Sequence, residues 1–210
     1  MVDLDAVQLR VLGCLIEKQR TTPDQYPLSV NSLRLACNQA TNRHPVVEYD
    51  EPTIRAALSE LSRRGLARLT SGPGSRAVKY RHLVDDALSL SAAESSVLAV
   101  LALRGAQTAA ELKQRVERLH RFESNAEVTE TLRALAEREL TQLLPRRPGE
   151  REERWVQLLG DGGAPAASPS PTADAPPLPT AEERPDLEER VRRLEEAVAA
   201  LHTHMAPEDA

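Results

Sequence analysis

Apolar residues recur at helical spacing in several separate stretches, and the gaps between those stretches define the layout. Leu4, Val7, Val11, Leu12, Leu15 and Ile16 predict a first helix over 4–20. Thr21–Pro27, with two prolines and an aspartate, predicts a stiff connector. Ser29 is placed to cap a second helix running to about Asn38, with Val30, Leu33 and Ala36 or Cys37 inward. A polar loop follows to Val47. Asp50 then caps a third helix with Pro52 in its first turn and Ile54, Ala57, Leu58 and Leu61 on one stripe. Gly65 supplies the left-handed C′ residue, and Leu66 is expected to touch Leu61 as in a Schellman ending. Past it the period changes to two. A strand over 66–70, the turn Ser71–Ser75 and a strand over 76–83 predict a hairpin.

The order then repeats. Val97-Leu98-Ala99-Val100-Leu101 echoes Val11-Leu12-Gly13-Cys14-Leu15, and Leu132, Leu135 and Leu140 echo Leu58, Leu61 and Leu66. The second copy reads as helices over 91–104, 108–119 and 125–138, then strands near 142–144 and 154–158. Ser124 and Glu127 have capping-box spacing at its third helix. The first copy carries extra residues before its third helix, in and around 21–47. Helix, helix, helix and hairpin, twice, predicts a mostly α fold with small β-hairpin wings (α+β): tandem winged-helix domains at 1–83 and 84–160.

The stretch 161–185 is dense in Pro, Ala, Ser and Gly without apolar periodicity, and is expected to be a disordered linker. Beyond it Leu187, Val191, Leu194, Val198, Leu201 and Met205 alternate in steps of four and three. That a/d seam predicts a coiled-coil helix over 186–206 and a homo-oligomer, with docking on its own domain as the alternative.

Charge changes the picture. The chain carries −5 overall, but residues 1–83 hold 12 Lys and Arg against 8 Asp and Glu. Residues 84–160 hold 11 against 13, and 161–210 hold 4 against 11. Positive charge therefore sits with the first third helix. Behind its apolar stripe that helix presents Pro52, Arg55, Ser59 and Arg63, and the second strand sets Lys79 and Arg81 opposite Val78 and Tyr80. Such a surface suits a helix in a major groove and a wing along phosphate. The expected DNA-binding residues are Thr53, Arg55, Ser59, Arg63, Arg76, Lys79 and Arg81. An ordinary solvated helix and hairpin would carry the same residues. The equivalent face of the second copy carries Glu130, Arg133 and Glu137, which would repel phosphate.

Cys14 and Cys37, the only cysteines, fall on predicted helices and read as small buried hydrophobes. The N-terminus has no signal-peptide pattern, and the longest apolar run, Val97–Leu103, is too short to cross a membrane, so a cytoplasmic protein is expected. The five histidines lack metal-ligand spacing, and no phosphate loop or nucleophile motif occurs. No enzyme activity, cofactor or metal is expected.

Several runs are specific enough to carry a family likeness. They include Glu17-Lys18…Thr21-Thr22-Pro23-Asp24…Tyr26-Pro27-Leu28-Ser29, Ala36-Cys37-Asn38-Gln39…Asn42-Arg43…Pro45-Val46, and Lys79-Tyr80-Arg81-His82. Leu101…Leu103-Arg104-Gly105…Gln107-Thr108 and Leu144-Pro145-Arg146…Pro148-Gly149 extend them. Over about residues 3–159 the chain resembles the YceH-like family of functionally uncharacterised bacterial proteins. The resemblance implies a tandem winged-helix fold and no established activity. Two partner classes remain: double-stranded DNA, bound by a regulator, or another protein, held by a tandem winged-helix interaction module. The Asn38–Pro45 loop is expected to position the third helix.

Overall fold

The structure is a computed structural model, and the residues it describes are 3–70, 78–146, 149, 152–160 and 192. Contacts group the chain into two units, Met1–Ala166 and Ala167–Ala210. In the second, only Arg192 is described, and it is helical. The linker and the six seam positions from Leu187 to Met205 lie outside the described residues.

The first unit is mostly helical with small antiparallel sheets. Its first half runs α1 (Ala6–Thr21), β1 (Leu28–Ser29), α2 (Val30–Cys37), α3 (Glu51–Arg63), β2 (Ala67–Thr70) and β3 (Lys79–His82). A helical turn, α4 (Val84–Ala87), leads to α5 (Ala92–Arg104), α6 (Ala109–Val116), α7 (Asn125–Glu137), β4 (Thr141–Leu144) and β5 (Arg154–Gln157). Each half thus has the element order of a winged helix.

Local chemistry sets the boundaries. Leu4 is not helical; Asp5 caps α1, its carboxylate accepting the Gln8 N–H at 2.8 Å. Reciprocal capping boxes start α5 at Ser91 and Glu94, and α6 at Thr108 and Glu111. At α7 the box expected from Ser124 and Glu127 is only half formed. Ser124 accepts the Glu127 N–H, but the Glu127 carboxylate accepts from Glu123 N–H instead. The Schellman ending of α3 is as expected: Leu66 N–H donates to Leu61 C=O at 2.9 Å, and Gly65 N–H to Ser62 C=O at 3.1 Å. The same pair of bonds ends α7, with Glu139 in the glycine's place at φ +55°.

The repeat extends to the helix caps. Cap Ser91 falls 86 residues after cap Asp5, and cap Ser124 falls 74 after cap Asp50. β1 is an element that the sequence pattern did not separate from its connector. It pairs with β3, giving the order β1-β3-β2. In the second half Gln107 occupies the matching place, bridged to Trp155 beside the β4–β5 hairpin.

One apolar core runs through both halves. α1 is buried along Gln8–Ile16 because α2, α3 and α5 all pack on it, and α5 is buried along Ser95–Leu101. Gly13 permits the α1–α5 approach: a Cβ there would lie 2.9 Å from Leu103 Cγ. At the far end, Leu4 N–H donates to Leu159 C=O at 2.9 Å, and Leu4 forms a parallel bridge with Gly160.

Candidate nucleic-acid interface

The loop 38–49 aims α3, and two buried arginines hold the loop. Arg43 satisfies its whole guanidinium. It pairs bidentately with Glu17 on α1 at 2.6 and 3.1 Å, and donates to Ala36 C=O, Asn42 C=O and the Gln39 side chain. Arg10 donates to Cys37 C=O and to Pro45 C=O, the latter at 2.7 Å. Asn38 closes the loop, its amide donating to Tyr49 C=O and accepting Tyr49 N–H at 2.8 and 2.9 Å. The next residue, Asp50, is the α3 cap, accepting Thr53 N–H at 2.9 Å. Family-like polar residues here build a scaffold for the helix.

α3 presents Pro52, Arg55, Ala56, Ser59 and Arg63 to solvent, a small and basic face, with Thr53 half-buried beside the cap. Arg55 pairs with Glu51 at 3.0 Å, and Arg63 with Glu60. Both pairs are exposed and on one helix face, so each is weak and exchangeable.

The sheet contributes more charge than the sequence reading assigned it. Arg68 lies directly opposite Arg81, and Thr70 opposite Lys79, while Ser29 of β1 continues the Lys79 row. Ala67 and His82 point the other way and are buried, with Tyr80 packed on the core beside them. The outer face is therefore Arg68, Arg81 and Lys79, flanked by hydroxyls. None of the three has a carboxylate within ion-pair distance among the described residues. Arg68 was missed because its partner across the ladder depends on register, which the turn length alone does not reveal. Arg76 lies outside the described residues.

Beneath this face β3 is anchored by His82. Its N–H donates to Tyr26 Oη at 2.8 Å, and its Nε2 donates to Gln19 Oε1 at 2.7 Å. Burial pushes the imidazole below its ordinary pKa, against the pull of nearby Asp85, and Nδ1 has no partner among the described residues. Burial likewise pushes the Tyr26 phenol up to about 12.

The second half differs. The exposed positions of α7 include Glu130, Arg133 and Glu137, and the exposed β4 residues are Gln142 and Leu143. Cys14 and Cys37 are buried free thiols; their mutual hydrogen bond and burial push Cys37 above the usual thiol range. Among the described residues no His, Cys, Asp and Glu cluster suits a metal, and no helix is long and apolar enough to cross a membrane.

A family model described as "Protein of unknown function, DUF480" matches residues 4–150. A UPF0502 protein of Geotalea uraniireducens (strain Rf4) is 45% identical over 203 residues, spanning 95% of this chain and 90% of the relative. One of Shewanella oneidensis is 44% identical over 211 residues, 95% of each chain. Another, of Citrifermentans bemidjiense, is 41% identical over 219 residues, 98% of this chain and 93% of the relative.

Proposed function

The chain belongs to the DUF480 family of bacterial proteins of unknown function, as its motifs led us to expect, and for this member we propose binding to double-stranded DNA. The reading places α3 in a major groove and the outer face of β1-β3-β2 along a phosphate backbone. The observation that carries it is the Arg68–Arg81 cross-strand pair. Like charges directly opposite on a ladder destabilise it, and no acid among the described residues relieves them. A polyanion would. Thr53, Arg55, Ser59 and Arg63 then lie at the groove, and the exposed pairs with Glu51 and Glu60 open at small cost. Self-association through the seam from Leu187 to Met205 would present two such surfaces to one duplex.

The second reading, a protein-interaction module that binds no DNA, draws support from Leu69 and Val78. Both are exposed large apolar residues on the hairpin, on the side away from the basic face. The net charge of −5 also favours it.

Titrating the full chain on mixed duplexes at several salt concentrations decides between them. Each phosphate contact contributes a slope of about −0.9 in log K against log salt. Lys79→Ala or Arg68→Ala should weaken all sequences alike and reduce the slope by roughly one unit. Arg55→Ala or Arg63→Ala should cost about 1–3 kcal/mol on a preferred site if that side chain reaches a base edge. Glu130→Ala should change little. Wild-type binding undetectable at low salt would leave the interaction module.

A further inference from the structure

A cleft opens where the loop of the first half meets α5 and α6 of the second. His44 N–H donates to Leu103 C=O at 2.8 Å across this seam, and Arg104 donates to the Asn42 side chain. The cleft has a volume of about 340 Å³ and is lined by Asn42, His44, Arg104, Gln107, Glu111 and Arg115, among others. Next to it lies a smaller recess that shares Asn42, Arg104 and Arg115 and is floored by Val100, Leu103 and Leu119.

Positive charge in the cleft exceeds what its acids neutralise. Glu17 is taken up bidentately by Arg43. Glu111 accepts from Arg154 at 2.8 Å and from Thr108 N–H at 3.0 Å, and reaches Arg115 only at 3.5 Å. That leaves Arg104, whose charge is disfavoured by burial and then by nearby Arg115, Arg115 with only that longer contact to the shared Glu111, and Arg118 at the recess with no ion-pair partner among the described residues.

A second observation is independent of the charge. Gln107 is 5% exposed, and its amide donates to Ala106 C=O at 2.8 Å and more weakly to Arg104 C=O. Those bonds fix which end of the amide is oxygen. Its Oε1 is buried with no partner among the described residues. Native proteins rarely leave such an acceptor unpaired.

We propose that this cleft binds a small anionic metabolite, carboxylate or phosphate, that also carries an O–H or N–H donor. The anion lies between Arg104 and Arg115, the donor meets Gln107 Oε1 after a turn of that buried side chain toward the cleft, and any short apolar portion enters the Val100–Leu103–Leu119 recess. The size suits a small-molecule site and is too confined for a duplex. The site is separate from the basic sheet face, and the proposal does not rest on DNA binding.

Two matched probe pairs test it on the full chain. Malate and succinate differ by one hydroxyl, and glycerol 3-phosphate and propyl phosphate differ only by two hydroxyls. Isothermal titration and thermal melting are expected to show saturable binding of malate, glycerol 3-phosphate or both, with the donor-bearing member preferred roughly tenfold. Which pair responds tells carboxylate from phosphate. Arg115→Ala, at a half-exposed side chain, should weaken both members of the pair by roughly tenfold or more. Gln107→Met should bring the donor-bearing member down to its analogue while leaving the analogue unchanged. No saturable binding by any probe would overturn the proposal. So would binding indifferent to Arg115→Ala, or a donor preference that survives Gln107→Met in a variant that still melts cooperatively.

Discussion

Two buried basic side chains, an arginine and a histidine, meet burial in different ways. Arg43 is charged and completely hydrogen-bonded, so it holds the loop before α3. His82 is buried with no partner for Nδ1 among the described residues, and burial disfavours its charged form. Its folded pKa is depressed, while unfolded it is about 6.5. Below that value the unfolded chain binds a proton that the folded chain resists, and stability falls as the pH drops. The groups around it are Asp85 and Asp86, which favour the proton, and Arg20 and Arg81, which oppose it. Urea denaturation between about pH 7 and 5 should show a steeper loss for wild type than for His82→Gln. Equal slopes would mean that His82 protonates in the folded state without penalty. Glu139 offers a second residue-scale test. It occupies the left-handed C′ place at φ +55° that Gly65 fills in the first half. Glu139→Gly should raise stability by about 1 kcal/mol, read from the urea midpoint. The αL position was legible at Gly65, where the residue announces it. At Glu139 only the repeat hinted at it, because nothing in a glutamate's chemistry asks for positive φ.

At the scale of elements, helices longer than one turn were the readable part, because each one buries a stripe and begins at an oxygen-bearing cap. The boundaries of α3, α5 and α7 fall within a residue of those expected. β1 was not readable: two residues have no periodicity, and the strand exists only because β3 lies beside it. The basic sheet face was half legible for the same reason, since alternation shows Lys79 and Arg81 but only the ladder brings in Arg68. The α1–α5 crossing is likewise invisible locally. Gly13 interrupts an otherwise good helix, and alanine there would gain about 1 kcal/mol in helix propensity. Leu103 is buried with its Cγ 2.9 Å from where that methyl would go. Overpacking of about 1–3 kcal/mol should offset or exceed the gain. Gly13→Ala is expected to lower the thermal midpoint, and a clear rise would show that the two helices can separate freely.

At the scale of the molecule, the repeat was legible as matched caps and leucines, but the single core was not. Periodicity shows which face of a helix is apolar, and cannot show that α1 and α5 bury their faces against each other. The candidate sites follow that division. The residues of α3 could be named from one stretch of sequence. The cleft of Asn42, Arg104, Gln107 and Arg115 could not, because its members come from both halves and meet only when the core forms.

The bond between Leu4 and Leu159, 2.9 Å long, and the bridge to Gly160 bring the two ends of this core together. The order of the two halves along the chain is then separable from their packing. A circular permutant, with Gly160 joined to Leu4 by a short glycine-serine linker and new termini at the exposed Ser89, would put the second half first. It should melt cooperatively and give the wild-type circular dichroism spectrum. A permutant that stays unfolded would mean that the first half must be made before the second can fold upon it.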